Sequence, residues 1–288
     1  MNILVGVDRE YLRPLSVMLY SLAIHNPVSI KVYVMHFAIP VYDQKEFEMV
    51  ARRMGVAEVQ FLKVNRKFFD NIIYKTRYKM EANLRLLLLK ELPAYIDRIL
   101  WLDADIIVRG SVRELYSYCD YGQYAVVCKD MFPNWAKYDV VTQIGMRMDE
   151  KYFNSGVMLF YLNNMRKDFG EYDFLHWANS NPDKLTYPDQ NTFNVCLKEK
   201  LRWVRPEIYN LQLSWFDDRK QFFRAIDKCK IMHFNLPEKP WEDTYNGVGD
   251  IQYWKYGIKV YGIKKCLHYF LIKYKNIIIR YMRTTIKR

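Results

Sequence analysis

Short apolar runs alternate with stretches of helical spacing along the chain, an alternation that predicts an α/β domain on a Rossmann-like, mostly parallel sheet. "NILVGV" (2–7) reads as a first buried strand. Leu12, Leu15, Met18, Leu19 and Leu22 then recur at helical spacing, up to a stop at Asn26-Pro27. "IKVYVMHF" (30–37) and "EVQFL" (58–62) give two more strands, with a helix over 43–54 between them. Leu84, Leu87 and Leu88 share a face ahead of Pro93, which predicts a helix over 80–91. "RILWL" (98–102), "YAVVC" (124–128) and "SGVMLFYL" (155–162) supply further strands, and Pro188-Asp189 opens a helix over 189–199. No repeat or low-complexity linker interrupts this series.

Polar groups recur where the strands end: Asp8 after the first, Asp103 and Asp105 after "RILWL", Lys129 and Asp130 after "YAVVC". In open α/β sheets the ligand crevice lies outside the carboxyl ends of strands, so these distant residues can converge on one site. In Asp103-Ala104-Asp105 the two carboxylates, at i and i+2 of an extended segment, point to one side. Hard divalent cations take such oxygen ligands, often beside a nucleotide phosphate, and the small Ala104 leaves room for a ligand. A capped turn with a solvated carboxylate has the same sequence.

"IMHFNLPEKPW" (231–241) places His233 at the end of an apolar run and Lys239 between two prolines. An imidazole suited to Mn²⁺ and an ammonium suited to phosphate make a metal–diphosphate site, although a structural histidine on a stiff surface loop reads the same way. Asn154 and Ser155 precede a small Gly156, so an amide can face the crevice. Asp189 and Gln190 open a predicted helix, where Asp189 is equally an N-cap. Arg85, on a leucine-rich face, either snorkels to water or reaches a phosphate.

The chain has 288 residues, 51% of them hydrophobic, with 24 Tyr and 16 Phe, enough for a large core and too apolar for disorder. Ten of the 44 Lys and Arg, and no acidic residue, fall in 251–288; the remaining 34 face 32 Asp and Glu, so residues 1–250 are nearly neutral. That division predicts a catalytic domain over 1–250 and a basic tail over 251–288, and argues against nucleic acid as a partner. Within the tail, Ile263, Cys266, Leu267, Phe270, Leu271, Tyr274, Ile277, Ile278 and Tyr281 occupy an arc of about 140° on a helical projection. Lys264, Lys265, His268, Lys273, Lys275, Arg280 and Arg283 fill the other half, the pattern of a helix lying on an anionic membrane. The five cysteines show no metal spacing, the N-terminus has no signal-peptide pattern and no uncharged run is long enough to cross a bilayer. The expected location is cytoplasmic, peripheral on the membrane's inner face.

Six segments in order, "VDREY", "ANLRLLLLKELP", "RILWLDADIIVRG", "YFNSGVMLFYL", "PDQNTFN" and "HFNLPEKPW", make the chain resemble glycosyltransferase family 8. That family includes the retaining galactosyl- and glucosyltransferases of lipopolysaccharide synthesis, and glycogenin. The resemblance implies a single-domain GT-A-like fold and Mn²⁺-dependent (or Mg²⁺-dependent) transfer from UDP-glucose or UDP-galactose to a saccharide or glycolipid acceptor. By position it implies Asp103, Asp105 and His233 as metal ligands, with Ala104 and Ser155 beside the donor. Asp8 and Tyr11 correspond to the uracil pair and Lys239 to the diphosphate contact. Arg85, Asn154, Asp189 and Gln190 correspond to the donor-sugar pocket, where Gln190, Asp189, Asn154 and Asp130 are the candidate catalytic residues. Leu236 stands where several members have a glycine, and Arg9 and Glu10 replace the usual acidic or amide residues near the ribose. A sugar-nucleotide pyrophosphorylase would need a Gly-rich phosphate loop after strand one, which "VDREYLRPL" lacks. A non-enzymatic basic membrane- or polyanion-binding protein would explain only the tail.

Overall fold

Ile3, Leu4 and Val5 are completely buried in β1 (Asn2–Gly6), as expected of a strand covered on both faces. The computed structural model describes residues 1–70, 72, 79–131, 134–216, 219–245 and 247–286. The other strands are β2 (Lys31–His36), β3 (Glu58–Lys63), β4 (Arg98–Leu102), β5 (Ile106–Val108), β6 (Ala125–Lys129), β7 (Phe153–Tyr161), β8 (Leu201–Val204), β9 (Leu211–Gln212) and β10 (Ile231–His233). Seven of them form one sheet in the order β3-β2-β1-β4-β7-β6-β8. β7 runs antiparallel to both neighbours, β4 and β6; the other pairs are parallel.

Alternation along the strands divides the core between the two faces. Leu4, Ile99 and Trp101 pack with Leu84, Leu88, Phe174 and Phe193 on one side. Ile3, Val5, Leu100 and Leu102 pack on the other with Leu15, Met18, Leu19 and Leu22 of helix α1 (Leu12–His25), and with Phe47 and Ala51 of α2 (Val41–Arg53). The helix expected over 189–199 is α3 (Pro188–Cys196), with Pro188 in its first turn.

Beside the mostly parallel sheet expected, β5, β10 and β9 form a second, three-stranded one in that order. Asp103-Ala104-Asp105 lies at the switch between the two. The Asp103 N–H donates to Gly156 O at 3.0 Å, extending the main sheet, while Asp105 O accepts from Phe234 N–H at 3.0 Å beside β10. The expected helix over 80–91 is instead a 3₁₀ segment, Met80–Leu87, followed by one α-helical turn, Leu88–Glu91. Asn83, Leu84, Arg85, Leu86 and Leu87 are all buried, so packing on every side overrides the one-faced helical pattern.

Helices α4 (Asp250–Tyr261) and α5 (Ile263–Ile286) are separated by Gly262, whose φ of 82° is glycine's own region. Tyr253, Trp254 and Tyr256 of α4 are buried in a third cluster that includes Val17 of α1 and Met232 of β10. On α5 the buried side is Cys266 and Tyr269, with the Tyr269 ring tilted by 34° against Trp254 at 4.9 Å. The expected apolar arc is thereby split. Ile263, Leu267 and Leu271 are 55%, 55% and 71% exposed, and Lys273, expected on the solvated basic face, pairs with Asp250. Docking through Tyr269 turns part of the arc outward. The side chains of Tyr274, Ile277, Ile278, Arg280, Tyr281 and Arg283 lie outside those described. Among the described residues no helix is long and apolar enough to cross a membrane.

Candidate active site

β4 delivers Asp103 at its carboxyl end, the turn into β5 delivers Asp105, and β10 delivers His233. Each residue offers one ligand atom, and these lie within 4.8 Å of one another. His233 Nε2 is 3.3 Å from Asp105 Oδ1 and 3.6 Å from Asp103 Oδ2. The second oxygen of each carboxylate is held by a cation: Arg85 donates to Asp103 Oδ1 at 2.7 Å and Lys239 to Asp105 Oδ2 at 2.7 Å. Trp101 Nε1 also donates to Asp103 Oδ1 at 2.7 Å. Burial alone would raise the Asp105 pKa, but the Lys239 ammonium and the charged form of the His233 ring outweigh it and hold the carboxyl well below the usual range.

Among the described residues Asp105 Oδ1 is buried with no hydrogen-bond partner. A buried acceptor left without a donor costs free energy, so this oxygen, next to an imidazole nitrogen and a second carboxylate, is a candidate ligand atom. Two hard oxygens and one imidazole nitrogen suit a divalent cation such as Mn²⁺ or Mg²⁺. A Cβ on Gly156 would lie 2.3 Å from His233 Cε1 and 2.7 Å from Nδ1, so only glycine lets the ring lie against β7.

Beside this cluster the chemistry changes from ionic to amide. Gln190 Oε1 accepts from Ser155 N–H at 2.9 Å, and its Nε2 donates to Asp130 Oδ2 and to Tyr152 Oη, both at 3.2 Å. Asn154 Nδ2 donates to the same Asp130 oxygen at 3.0 Å. Burial pushes the Asp130 carboxyl up to about 6, even against these two hydrogen bonds. Ser155 Oγ donates to Asp189 Oδ2 at 2.9 Å, and Arg85 Nε lies 3.2 Å from the same oxygen; burial still raises that carboxyl. Asn194 clamps α3 to β7 by exchanging both hydrogen bonds with the backbone of Phe153.

Asp189 therefore bonds across the crevice and is not the N-cap of its helix, a place that Tyr187 takes. Arg85 is 1% exposed, which removes the snorkelling alternative. Its guanidinium lies 3.9 Å over the Trp101 ring and bonds Ala82 O and Ser155 O as well as Asp103. At the other end of the crevice, Asp8 Oδ1 accepts from Tyr11 N–H at 3.0 Å, while Asp8 Oδ2 pairs with Lys79, whose ammonium sits 4.7 Å over the Tyr11 ring. Ala104, between the two aspartates, is buried.

The sequence model of glycosyl transferase family 8 matches residues 2–245. The chain belongs to that family. Family 8 members are glycosyltransferases that use a nucleotide-sugar donor and a divalent metal, and the cluster of Asp103, Asp105 and His233 is the candidate for the metal in this one. The match removes the non-enzymatic alternative. Among curated relatives, General stress protein A of Bacillus subtilis is 25% identical over 259 residues, covering 85% of this chain and 88% of that protein. The lipopolysaccharide 1,2-glucosyltransferase of Escherichia coli is 24% identical over 250 residues (84% and 72%). The lipopolysaccharide 1,3-galactosyltransferase of Salmonella typhimurium is 25% identical over 255 residues (83% and 72%). The crystal structure of the galactosyltransferase LgtC with donor and acceptor sugar analogs superposes with a TM-score of 0.77 at 22% identity, covering 89% of this chain and 95% of LgtC. The family 8 fold is thus the GT-A-like α/β architecture expected.

Sequence reading missed four residues of this family 8 crevice. Trp101 had a signal, since an indole N–H buried in "RILWL" needs an acceptor. Asn210, between the apolar neighbours Tyr209 and Leu211, is a buried amide that likewise needs partners. Tyr152 and Lys79 carried no local signal, because their contacts come from segments far along the chain.

Proposed function

We propose that the chain is a retaining hexosyltransferase that moves glucose or galactose from a UDP-sugar to a saccharide or glycolipid acceptor, with Mn²⁺ or Mg²⁺ at the crevice. The observation that carries this reading is the unpaired Asp105 Oδ1, facing His233 and Asp103 with Lys239 beside them. Asp103, Asp105 and His233 would hold a divalent ion, which would supply Lewis-acid stabilisation to a departing diphosphate. Lys239 is the cation available to the diphosphate oxygens. Asp8 and Tyr11 fit the uracil, and a stacked base would displace Lys79 from the Tyr11 face.

Asp189, Asn154, Ser155 and Asp130 line the donor-sugar end, with Arg85 behind Asp189. The Gln190 amide is occupied at both ends, by Ser155 N–H on its oxygen and by Asp130 and Tyr152 on its nitrogen. An amide so engaged is a poor nucleophile, which supports front-face attack. The acceptor hydroxyl oxygen bonds the anomeric carbon as the bond to the diphosphate breaks, and the departing phosphate oxygen takes the hydroxyl proton. Lipopolysaccharide synthesis is the inferred setting, from the lipopolysaccharide transferases among the relatives. Residues 251–288 are proposed to add peripheral attachment to an anionic cytoplasmic membrane face, beyond a catalytic unit of 1–250.

A hydrolysis screen over UDP-sugars, with and without Mn²⁺, tests the reading in wild type and Asp105→Asn. Wild type is expected to hydrolyse UDP-glucose or UDP-galactose only with the ion. Asp105→Asn is expected to lose at least about 1,000-fold, since the ion supplies several kcal/mol. Equal rates in the two proteins would overturn the metal assignment.

A further inference from the structure

Asn210 is completely buried between the amide end of the crevice and the metal cluster, and the polarity of its side chain is fixed by its neighbours. Gly156 N–H donates to Asn154 Oδ1 at 3.0 Å, which settles which end of the Asn154 amide is oxygen. Asn210 Nδ2 donates to that same oxygen at 2.9 Å. Asn210 Oδ1 is therefore the atom that faces His233 Nδ1, at 3.0 Å. An amide oxygen only accepts, so the imidazole proton must reside on Nδ1. In the neutral ring Nε2 is then left with its lone pair directed at Asp103 and Asp105.

The same polarity continues in the other direction. With its oxygen pinned by β7, the Asn154 amide must present Nδ2 to Asp130 Oδ2, which Gln190 Nε2 also contacts. Gln190 is pinned in turn by Ser155 N–H on its oxygen. Two consecutive backbone N–H groups of β7, from Ser155 and Gly156, thus orient a chain of side chains from Asp130 through Asn154 and Asn210 to His233.

We infer that Asn210 is a positioning residue that fixes His233 as the Nδ1–H tautomer and aims Nε2 at the metal site, tying that ligand to the donor-sugar end of the crevice. The inference rests on the proposed metal site. Partners of this kind on a ligating histidine are worth about 10–100-fold in metal affinity. Asn210→Leu removes the acceptor; Asn210→Asp keeps an acceptor for Nδ1–H but cannot donate to Asn154.

The test pairs Mn²⁺ titration without nucleotide, read by electron paramagnetic resonance, with ¹⁵N spectra of histidine-labelled protein at a pH where the ring is neutral. The His233 signal, assigned by its loss in His233→Ala, is expected to report protonated Nδ1 in wild type and in Asn210→Asp, and mixed tautomers in Asn210→Leu. Mn²⁺ affinity is expected to fall about 10–100-fold in Asn210→Leu and by no more than about 3-fold in Asn210→Asp. Equal losses in Leu and Asp variants, or an unchanged tautomer in Asn210→Leu, would overturn the positioning role. Wild-type Mn²⁺ affinity in His233→Ala would instead remove the metal site itself. A lost fold would show in the far-UV spectrum of Asn210→Leu, and the Asn210→Asp arm then decides alone: loss of the Nδ1–H signal overturns the inference.

Discussion

Asp105 and Lys239 meet at 2.7 Å almost out of water, whereas Lys264 and Lys265 stand in solvent on α5 beside the exposed Ile263 and Leu267. Both regions concentrate charge next to apolar surface, with opposite organisation. In the crevice three carboxylates meet cations brought from other elements: Arg85 for Asp103 and Asp189, Lys239 for Asp105. Burying charges is costly, so such a cluster persists only when the partners are held in place by the fold. On α5 Lys264 and Lys265 stand in water, and the apolar residues between such positions are set by helical spacing alone. Precision belongs to the crevice, where a displacement of one ångström matters; the outer face of α5 is a pattern that tolerates local change.

Gly156→Ala puts the crevice half of that contrast under the greatest strain. The new methyl group would sit 2.3 Å from His233 Cε1, and β7 cannot yield because β4 and β6 flank it on both sides. The imidazole has to swing out, taking Nε2 from the carboxylates. Metal-dependent transfer is expected to fall more than about 100-fold, the scale lost when even an outer partner of a ligand is removed. Overpacking adds a stability loss of about 1–3 kcal/mol. Titration of Mn²⁺ binding and thermal melting would check both, and wild-type binding would show that the ring has room the structure does not display.

Among the described residues Asp130 has no salt-bridge partner and is held by the amides of Asn154 and Gln190, and its stability effect is the next largest. Burial raises its folded value to about 6, above its ordinary value near 3.8. Between those two values the folded state binds the proton more tightly than the unfolded chain, so stability falls as pH rises through this window. Each pH unit of difference is worth about 1.4 kcal/mol, so the full cost above pH 6 is about 2–3 kcal/mol. Asn at this position offers one oxygen to both amide donors and cannot ionise. Asp130→Asn is therefore expected to gain about 2–3 kcal/mol on wild type between pH 4 and pH 7.5 in urea unfolding. A constant difference across that range would contradict the raised value.

How legible each region was follows from where its information resides. β1, β2, β4 and α1 are local patterns of apolar spacing and could be read directly. Asp103, Asp105, His233 and Lys239 were singled out through ordered motifs, but their convergence depends on β10 pairing with β5, and that second sheet rests on runs of two and three residues. Strands so short give no period to detect. Asn210 carried no charge to draw notice, though it holds His233. The 3₁₀ segment around Arg85 broke the expected helix because five consecutive residues are buried there, which a one-faced pattern cannot anticipate. On α5 the helical projection put Ile263, Cys266, Leu267 and Leu271 on one arc, yet Cys266 is buried and the other three are exposed. The aromatic pair Trp254–Tyr269 sets the rotation, a tertiary contact invisible to a helical projection.

The smallest effect is expected on the outer face of α5. Leu267 and Leu271 are more than half exposed, one turn apart, and share that face with Lys264, Lys265 and His268. Replacing both leucines by glutamate removes apolar surface and adds two negative charges near the proposed membrane. Each cation near anionic lipid is worth about 1 kcal/mol, and an added anion opposes it on a comparable scale. Binding of the Leu267→Glu/Leu271→Glu protein to phosphatidylglycerol vesicles in a sedimentation assay is expected to weaken about 10-fold. Folding stability should move by no more than about 0.5 kcal/mol, because neither side chain is packed. UDP-sugar hydrolysis in free solution should stay at the wild-type rate, because the crevice is built from other elements. Undiminished vesicle binding would mean that the exposed leucines do not meet lipid, and that any attachment depends on the cations alone.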